Sequence, residues 1–451
     1  MTRVPRRAPL ALTALCLGLS ACGGSGGHAA AVHPEHPRQT HPRPPITSVD
    51  VYSSLPLHGP HRAASKAIEA GINLALWEQH DQAAGFLKIS YTPLDDATSA
   101  SNGWDQQRTL NNAMRVARDP NAVYYIGEFD SGASEFSIPI LNQAGIAQVS
   151  PGSGYIGLTA SVPDARDATL RQQSSIPSEP DRYYPAGPAT RNFVRLIPSD
   201  VVQASAAVEA MKRSIGCRRV ALASDTTQSG ISQAALIHAS GPLFGLPVGA
   251  PTQIDPTRTE FRNYVEHLRT HGLDCLAYAG TTVSTAAVDL VREVHLLAPT
   301  MPVIGTDGVC SEAWTKPRIG GTPTTIDPLM YCTRPTLPIA EYHGVTFPMG
   351  NYHHLYGSHA NPNPWTLYGY EAMELGIDTI ASLGRDGARR SSVRQALFAT
   401  TARSSVLGTY SITDEGDTTL TAYGLYKATA RGGLSFSRVL NPPTPRILPT
   451  S

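Results

Sequence analysis

Short apolar runs alternate with amphipathic segments from Val49 to about residue 150. The runs "VDVYSSLPL", "FLKISY", "AVYYIGEF" and "IAQVS" have the length and composition of buried strands. Between them lie "RAASKAIEAGINLALWEQ", a segment around residues 110–117 and a segment that opens near Ser131. Apolar residues recur in these segments at the spacing of one helix face. The alternation predicts parallel β-α-β units with right-handed crossovers.

The same alternation restarts after an interruption. Residues 160–190 are polar and proline-bearing and have no period of their own. Beyond them come "NFVRLIP", a helix from about Asp200, "RRVALASD", further helices, "DCLAYAG" and "PVIGTDG". The C-terminal third holds too few strands for a third sheet, so we expect it to complete the other two. We therefore predict an α/β protein of two lobes, residues 47–192 plus 334–408 and residues 193–333 plus 409–440.

The first 22 residues have the features of an export signal. Arg3, Arg6 and Arg7 precede an apolar run that is too short to span a bilayer permanently. The run ends in "LSAC", which resembles the lipobox of bacterial lipoproteins and implies that Cys22 is lipidated; an ordinary secretion signal is the alternative. We expect a protein anchored by lipid to the outer face of a bacterial cell membrane.

Residues 23–46 are rich in Gly, Pro and His and lack an apolar period, which is typical of a flexible tether. His28, His33, His36 and His41 lie in it. No cysteine or carboxylate cluster accompanies them, so we interpret them as linker residues and predict no metal site.

Charge and cysteine content narrow the class of protein. Lys plus Arg and Asp plus Glu both number 36, and no basic patch favours nucleic acid. Four cysteines remain beyond the predicted anchor, an even number that is typical of disulfides in exported proteins. We favour Cys217–Cys275 and Cys310–Cys332, which join neighbours along the chain, while the other two connectivities stay open.

The stretch "SPGSGYIGLT" (150–159) contains the pattern G-x-G-x-x-G. In dinucleotide-binding proteins this pattern follows the first strand and opens a helix. Here it follows the fourth strand, and a proline soon after it argues against a long helix from Gly154. We predict neither NAD nor any other cofactor. This turn and "EFDSGASEF", where Ser131 would cap a helix, instead expose peptide N–H groups that suit a carboxylate.

Several motifs together resemble the extracellular solute-binding proteins of the leucine/isoleucine/valine-binding family. They are "SSLPLHGP", "YIGEFDSGASEFSIPILNQAGIAQVSP", "RNFVRLIPSD", "GTDGV" and "LGTYSITDEGDTT", in order over most of residues 48–427. The resemblance implies a type 1 periplasmic-binding fold, with two Rossmann-like lobes hinged by three crossover strands. It also implies a small-molecule ligand, no enzymatic activity and delivery of the solute to an ABC permease.

The resemblance also implies the ligand contacts. Ser131 with Ala133, followed by Ser150 and Gly152, would hold a carboxylate, and Asp307 in "GTDGV" would hold an ammonium group. Ser134, Gly154, Ser229 and Thr281 complete the expected set.

Two departures from the family pattern put an amino-acid ligand in doubt. Gly154 stands where the family has a threonine, and Ser229 stands where it often has a tyrosine. Both changes widen the cleft, so the ligand is either larger or of another class.

Three functions are compatible with the fold class. We favour a monomeric solute-binding protein for uptake; a clamshell that reports its ligand to a membrane receptor or kinase is the alternative. An exported hydrolase is disfavoured, because "PGSGY" around Ser153 is not the G-x-S-x-G elbow, and neither "HPEHP" in the tether nor "YHHLYG" (352–357) is H-E-x-x-H.

Overall fold

A computed structural model describes residues 48–101, 103–161, 179–282 and 284–443. The predicted signal (1–22), the lipidation site Cys22 and the tether (23–46) with its histidines lie outside the described residues. None of the helices that the structure describes is long and apolar enough to cross a membrane.

The chain first builds a parallel sheet with helices on its faces. Its strand order is β2-β3-β1-β4-β5-β6, and every neighbouring pair is parallel except β2 with β3. The strands are β1 (Ser48–Leu55), β2 (Gln82–Ala83), β3 (Leu87–Asp95), β4 (Ala122–Ile126), β5 (Ala147–Ser150) and β6 (Phe193–Arg195). The connecting helices are α1 (Arg62–Glu78), α2 (Gln106–Arg118) and α3 (Ser131–Ala144).

A second sheet follows with the same construction. Its order is β15-β14-β11-β10-β9-β7-β8, parallel from β8 through β11 and antiparallel at β14 and β15. Its first strands are β7 (Val220–Ser224), β8 (Thr252–Gln253), β9 (Cys275–Ala279), β10 (Val303–Gly305) and β11 (Met330–Arg334). The helices of this part are α4 (Asp200–Glu209), α5 (Gln228–Ser240), α6 (Arg262–Thr270), α7 (Ala286–Leu297) and α8 (Glu312–Thr315).

The C-terminal third is divided between the two sheets. The helices α9 (Met349–Tyr356), α10 (Trp365–Ser382) and α11 (Arg390–Phe398) and the hairpin β12 (Arg403–Ser405) and β13 (Gly408–Tyr410) join the first half; β14 (Tyr423–Ala428) and β15 (Leu434–Leu440) complete the second sheet. Glycines let α1 and α10 approach closely, since a Cβ on Gly71 would lie 2.0 Å from the carbonyl oxygen of Thr366. Residues of this third therefore lie with both sheets.

The chain passes between the two sheets three times, after β6, after β11 and before β14. This arrangement is the predicted fold of two α/β lobes. The sheets place the first passage later than expected: Phe193–Arg195 pairs with β5 instead of opening the second lobe. The peptide N–H of Arg195 also donates to the carbonyl of Gly416, so residues near 416 return to the first lobe. Hydrogen bonds between distant segments place the end of the first sheet at β6, and a hydrophobic pattern along the sequence cannot show such bonds.

Both favoured disulfides are present in the structure. Cys217 pairs with Cys275 beside β7 and β9, and Cys310 pairs with Cys332 between β10 and β11. All four residues are buried. Each bond therefore ties neighbouring strands of the second sheet.

Candidate functional site

The loops that follow the strands of the first sheet converge at its carboxyl edge. His61 Nδ1, just before α1, lies 3.0 Å from Asp130 Oδ2, just before α3. The indole of Trp104, before α2, covers the first turn of α3, where a Cβ on Gly132 would lie 2.7 Å from its ring. Ligands of open parallel sheets bind at this edge.

A row of partly exposed aromatic rings lines the same edge. The ring of Phe129 lies 5.2 Å from that of His61 and 4.9 Å from that of Trp365 at the start of α10. Together with Trp104 these residues form what we call the aromatic wall: His61, Trp104, Phe129 and Trp365. Rings that stay partly exposed in this position offer a face to an apolar or cationic ligand.

Ser150 organises the turn after β5. Its hydroxyl donates to the carbonyl of Glu128 (2.7 Å) and accepts the N–H groups of Gly152 (3.2 Å) and Ser153 (2.8 Å). The Oγ atoms of Ser134 and Ser153 are 2.8 Å apart. Ser134, Ser150 and Ser153 are fully buried. These buried serines therefore hold the turn that packs against Phe129 of the aromatic wall.

The start of α3 differs from the prediction by one residue. Asp130 precedes the helix, and Ser131 is its first residue. The hydroxyl of Ser131, which we expected to cap the helix, instead accepts the N–H of Tyr155 at 3.1 Å. Ala133 is buried, and its N–H donates to the carbonyl of Asp130.

The glycine turn packs closely against its neighbours. Gly152 and Gly154 are partly exposed, and a Cβ on either would collide, with Phe129 in the first case and with Asp200 Oδ1 in the second. The short 3₁₀ turn Ile156–Leu158 follows, so within the described residues up to 161 no long helix starts at Gly154, as the sequence predicts.

A buried carboxylate organises the facing loops of the second sheet. Asp225, after β7, accepts the N–H and the hydroxyl of Thr227 on one oxygen. Its other oxygen accepts the N–H of Thr281 at 2.8 Å and the Thr281 hydroxyl at 3.3 Å. Ser229, near the start of α5, is exposed. The structure therefore brings Ser229 and Thr281 to the same edge of the second sheet.

Asp307 follows β10 in a turn that two contacts fix. The Cys310–Cys332 disulfide joins the turn to β11, and the guanidinium of Arg334 donates to the carbonyl of Cys310. Water reaches the Asp307 carboxylate, but protein surrounds it on its other sides, and this desolvation raises its pKa. After the charge of Asp130, that of Asp307 also raises the pKa of His61 in the first lobe.

Asp200 lies beside the glycine turn, where the chain first passes from one sheet to the other. Its N–H donates to the carbonyl of Gly154, and only 6% of the residue is exposed. Burial, followed by the charge of Asp307, raises the pKa of Asp200 to about 7. One of its oxygens, Oδ2, has no hydrogen-bond partner among the described residues.

A side-chain hydrogen bond joins the two lobes, in addition to the backbone bond from Asp200 to Gly154. The Tyr155 hydroxyl donates to Glu179 Oε2 (2.6 Å) and accepts from Gln228 Nε2 (3.1 Å). Tyr155 belongs to the turn after β5, whereas Gln228 begins α5 of the second lobe. The two edges therefore face each other across a cleft.

A second pair of acids is buried beneath the first-lobe edge. Asp96 and Glu128 are fully buried, and Tyr125 donates to Glu128 Oε1. Burial and mutual proximity raise the pKa of Asp96 well above its usual value, and burial raises that of Glu128 to about 7. We infer that the pair holds at least one proton at neutral pH.

A family model described as periplasmic binding protein matches residues 53–433. The chain belongs to the periplasmic-binding-protein family. This membership confirms the predicted class, a substrate-binding protein and not an enzyme, and places the protein outside the cytoplasm. A search of curated protein sequences found no match.

Solved structures show the same fold at low sequence identity. A leucine-binding protein from Thermotoga maritima is 18% identical (TM-score 0.64) over 87% of this chain and 99% of that one. A branched-chain amino acid substrate-binding protein from Streptococcus pneumoniae, in complex with isoleucine, is 14% identical (0.65; 88% and 100%). An ABC-transporter solute-binding protein from R. palustris, in complex with benzoate, is 15% identical (0.62; 88% and 97%). The predicted type 1 fold is confirmed.

Sequence reasoning did not find several residues of this cleft: His61, Trp104, Asp130, Asp200 and Trp365. Asp130 directly precedes the predicted Ser131, and Asp200 ends the quoted "RNFVRLIPSD". An acid at either place was a signal that could have been used. Trp365 enters the site from the C-terminal third, and only the tertiary fold brings it there.

Proposed function

We propose that this protein captures a small organic solute in the cleft between its lobes and delivers it to an ABC permease. The observation that carries the proposal is the facing arrangement of Asp307 and the aromatic wall, in a chain of this family. The relatives described above hold leucine, isoleucine or benzoate, which suggests an amino acid or a related compound.

Closure of the lobes supplies the mechanism. A ligand that touches the aromatic wall and Asp307 together has more contacts in the closed form than in the open one. Such a ligand shifts the population toward closure, whereas one with equal affinity for both forms shifts nothing. The Tyr155–Gln228 hydrogen bond adds to the closed form because it crosses the cleft.

The N-terminal part completes the proposal. The "LSAC" motif supports lipidation of Cys22, and residues 23–46 would tether a monomeric clamshell near its membrane partner. We also propose lobe boundaries that follow the sheets, with the first passage between residues 195 and 200.

The test combines binding with uptake. Purified protein is screened by thermal shift against leucine, isoleucine, benzoate, phenylalanine, 2-phenylethylamine and glucose. At least one solute should raise the melting temperature and reduce the radius of gyration measured by small-angle X-ray scattering.

Uptake of that solute by the host should fall when the gene is deleted and return with the wild-type chain. It should return only in part with C22S, because the protein leaves the membrane. Unchanged uptake with an altered transcriptional response would instead support the sensor, and no binding by any solute would contradict both.

A further inference from the structure

Most of the groups expected to hold a ligand carboxylate already make hydrogen bonds within the protein. The Ser150 hydroxyl donates to the carbonyl of Glu128, and the N–H of Gly152 donates to Ser150 Oγ. Ala133 donates to the carbonyl of Asp130. The Ser131 hydroxyl accepts the N–H of Tyr155, a bond that does not use its own O–H. A carboxylate entering here would exchange most of these bonds for new ones, which gains little free energy.

The protein also places its own acid at this position. Asp130 precedes α3, where a ligand carboxylate would otherwise interact with the positive end of the helix dipole. The Trp104 indole covers the Gly132 backbone in the same turn. His61 Nδ1 lies 3.0 Å from Asp130 Oδ2, so this imidazole nitrogen is already engaged with Asp130. A second carboxylate at this helix end meets like charge.

The opposite conditions hold for a cation. Among the described residues, neither Asp200 nor Asp307 has an ion-pair partner within 4.0 Å. The charge of Arg195 acts on Asp200 from farther away, and Asp307 has a hydrogen bond with the Gln203 side chain and feels the charge of Arg334. Asp200 is more than nine-tenths buried, with Oδ2 unpartnered, against Gly154. A buried carboxylate without a partner is costly, and a cationic ligand would relieve that cost.

The aromatic wall suits the rest of such a ligand. Phe129 and Trp365 lie edge to face and remain partly exposed, beside His61 and Trp104. Aromatic faces bind flat apolar groups and also attract ammonium groups.

We propose that the ligand is a protonated amine with a flat apolar body and without a carboxylate, held between Asp200 and Asp307 on one side and the aromatic wall on the other. This inference rests on the proposed function and specifies its ligand class.

The test uses three compounds that share a phenyl group. 2-Phenylethylamine carries only the amine, phenylalanine carries amine and carboxylate, and 3-phenylpropanoate carries only the carboxylate. In isothermal titration calorimetry, the amine should bind at least tenfold more tightly than phenylalanine, and 3-phenylpropanoate should not bind. Tighter binding of either carboxylate would overturn the inference.

Variants identify the site. D307N and W365L should each weaken amine binding at least tenfold, whereas D386N and W77L, at exposed positions of the first lobe, should not change it. D130N should strengthen phenylalanine binding at least fivefold, because the like charge is removed. If D307N leaves amine binding unchanged, or if D130N leaves phenylalanine binding unchanged, the inference fails. Asp307 is exposed, so we expect the D307N protein to fold normally.

The outcomes separate the two proposals. Closure on leucine, benzoate or phenylalanine without any response to the amine would overturn the inference and leave the proposed function standing. If no compound binds, including those of the first screen, both the proposed function and this inference are overturned.

Discussion

The Asp96–Glu128 pair is the residue-scale feature with the largest electrostatic consequence. Both carboxyls are fully buried, and their proton is held more tightly in the folded chain than in the unfolded one. A carboxyl whose folded pKa is raised stabilises the fold below its unfolded pKa, and this contribution is lost as the pH rises through the folded pKa.

We expect E128Q to reduce this loss. The pKa of Glu128 rises from 4.5 to about 7, which corresponds to roughly 3 kcal/mol of unfolding free energy lost as the pH rises across that window. Glutamine cannot ionise and can still donate to Asp96. Urea unfolding between pH 4.5 and pH 8 should give a flatter profile for E128Q than for wild type. The substitution E260Q at an exposed position is the control, and parallel profiles for E128Q and wild type would contradict this interpretation.

At the scale of elements, the Cys310–Cys332 disulfide links stability to the site. It fixes the turn that carries Asp307, while Cys217–Cys275 ties the same sheet beside β7 and β9. The two bonds span 22 and 58 residues, so both restrict the unfolded chain.

The two serine double variants should therefore separate stability from binding. C217S/C275S and C310S/C332S should each lower the unfolding free energy by about 3–4 kcal/mol. Only C310S/C332S should also weaken 2-phenylethylamine binding, because the Asp307 turn loses its tie to β11. Thermal unfolding and calorimetry measure the two effects. Equal affinities in the two variants would show that the turn holds its shape without the disulfide.

The elements also show how far the sequence predicts this protein. The alternating pattern predicted the fold class, because a period of 3.6 indicates the buried face of a helix and a short apolar run indicates a buried strand. The start of α3 and the assignment of β6 depend on hydrogen bonds between distant segments, such as Arg195 to Gly416, which no local pattern records. In the candidate site, Asp307 was predicted from the resemblance of "GTDGV" to a turn of the family, whereas Trp365 comes near the site only through folding.

At the scale of the whole molecule, the balance between open and closed forms governs binding. The Gln228–Tyr155 hydrogen bond is a cross-lobe contact that can be changed without altering the aromatic wall.

We expect Q228A to favour the open form. Loss of one hydrogen bond of about 0.5–1.5 kcal/mol should weaken 2-phenylethylamine binding two- to tenfold. The radius of gyration of the unliganded variant should increase, and saturating amine should restore the compact value. A Q228A protein that is as compact as wild type without ligand would show that this contact does not set the balance. Q82A, which removes an exposed glutamine side chain from the edge strand β2, serves as the control.

The three passages of the chain also determine the order in which the molecule can fold. Helix α1 lies against α10, so the N-terminal half of the first lobe waits for residues beyond 365 before its apolar face is covered. A chain emerging from an export channel, amino end first, must therefore hold that face uncovered while most of the second lobe is made. Such a nascent chain needs a chaperone on the far side of the membrane, and a truncated product ending before α10 is a substrate for proteolysis.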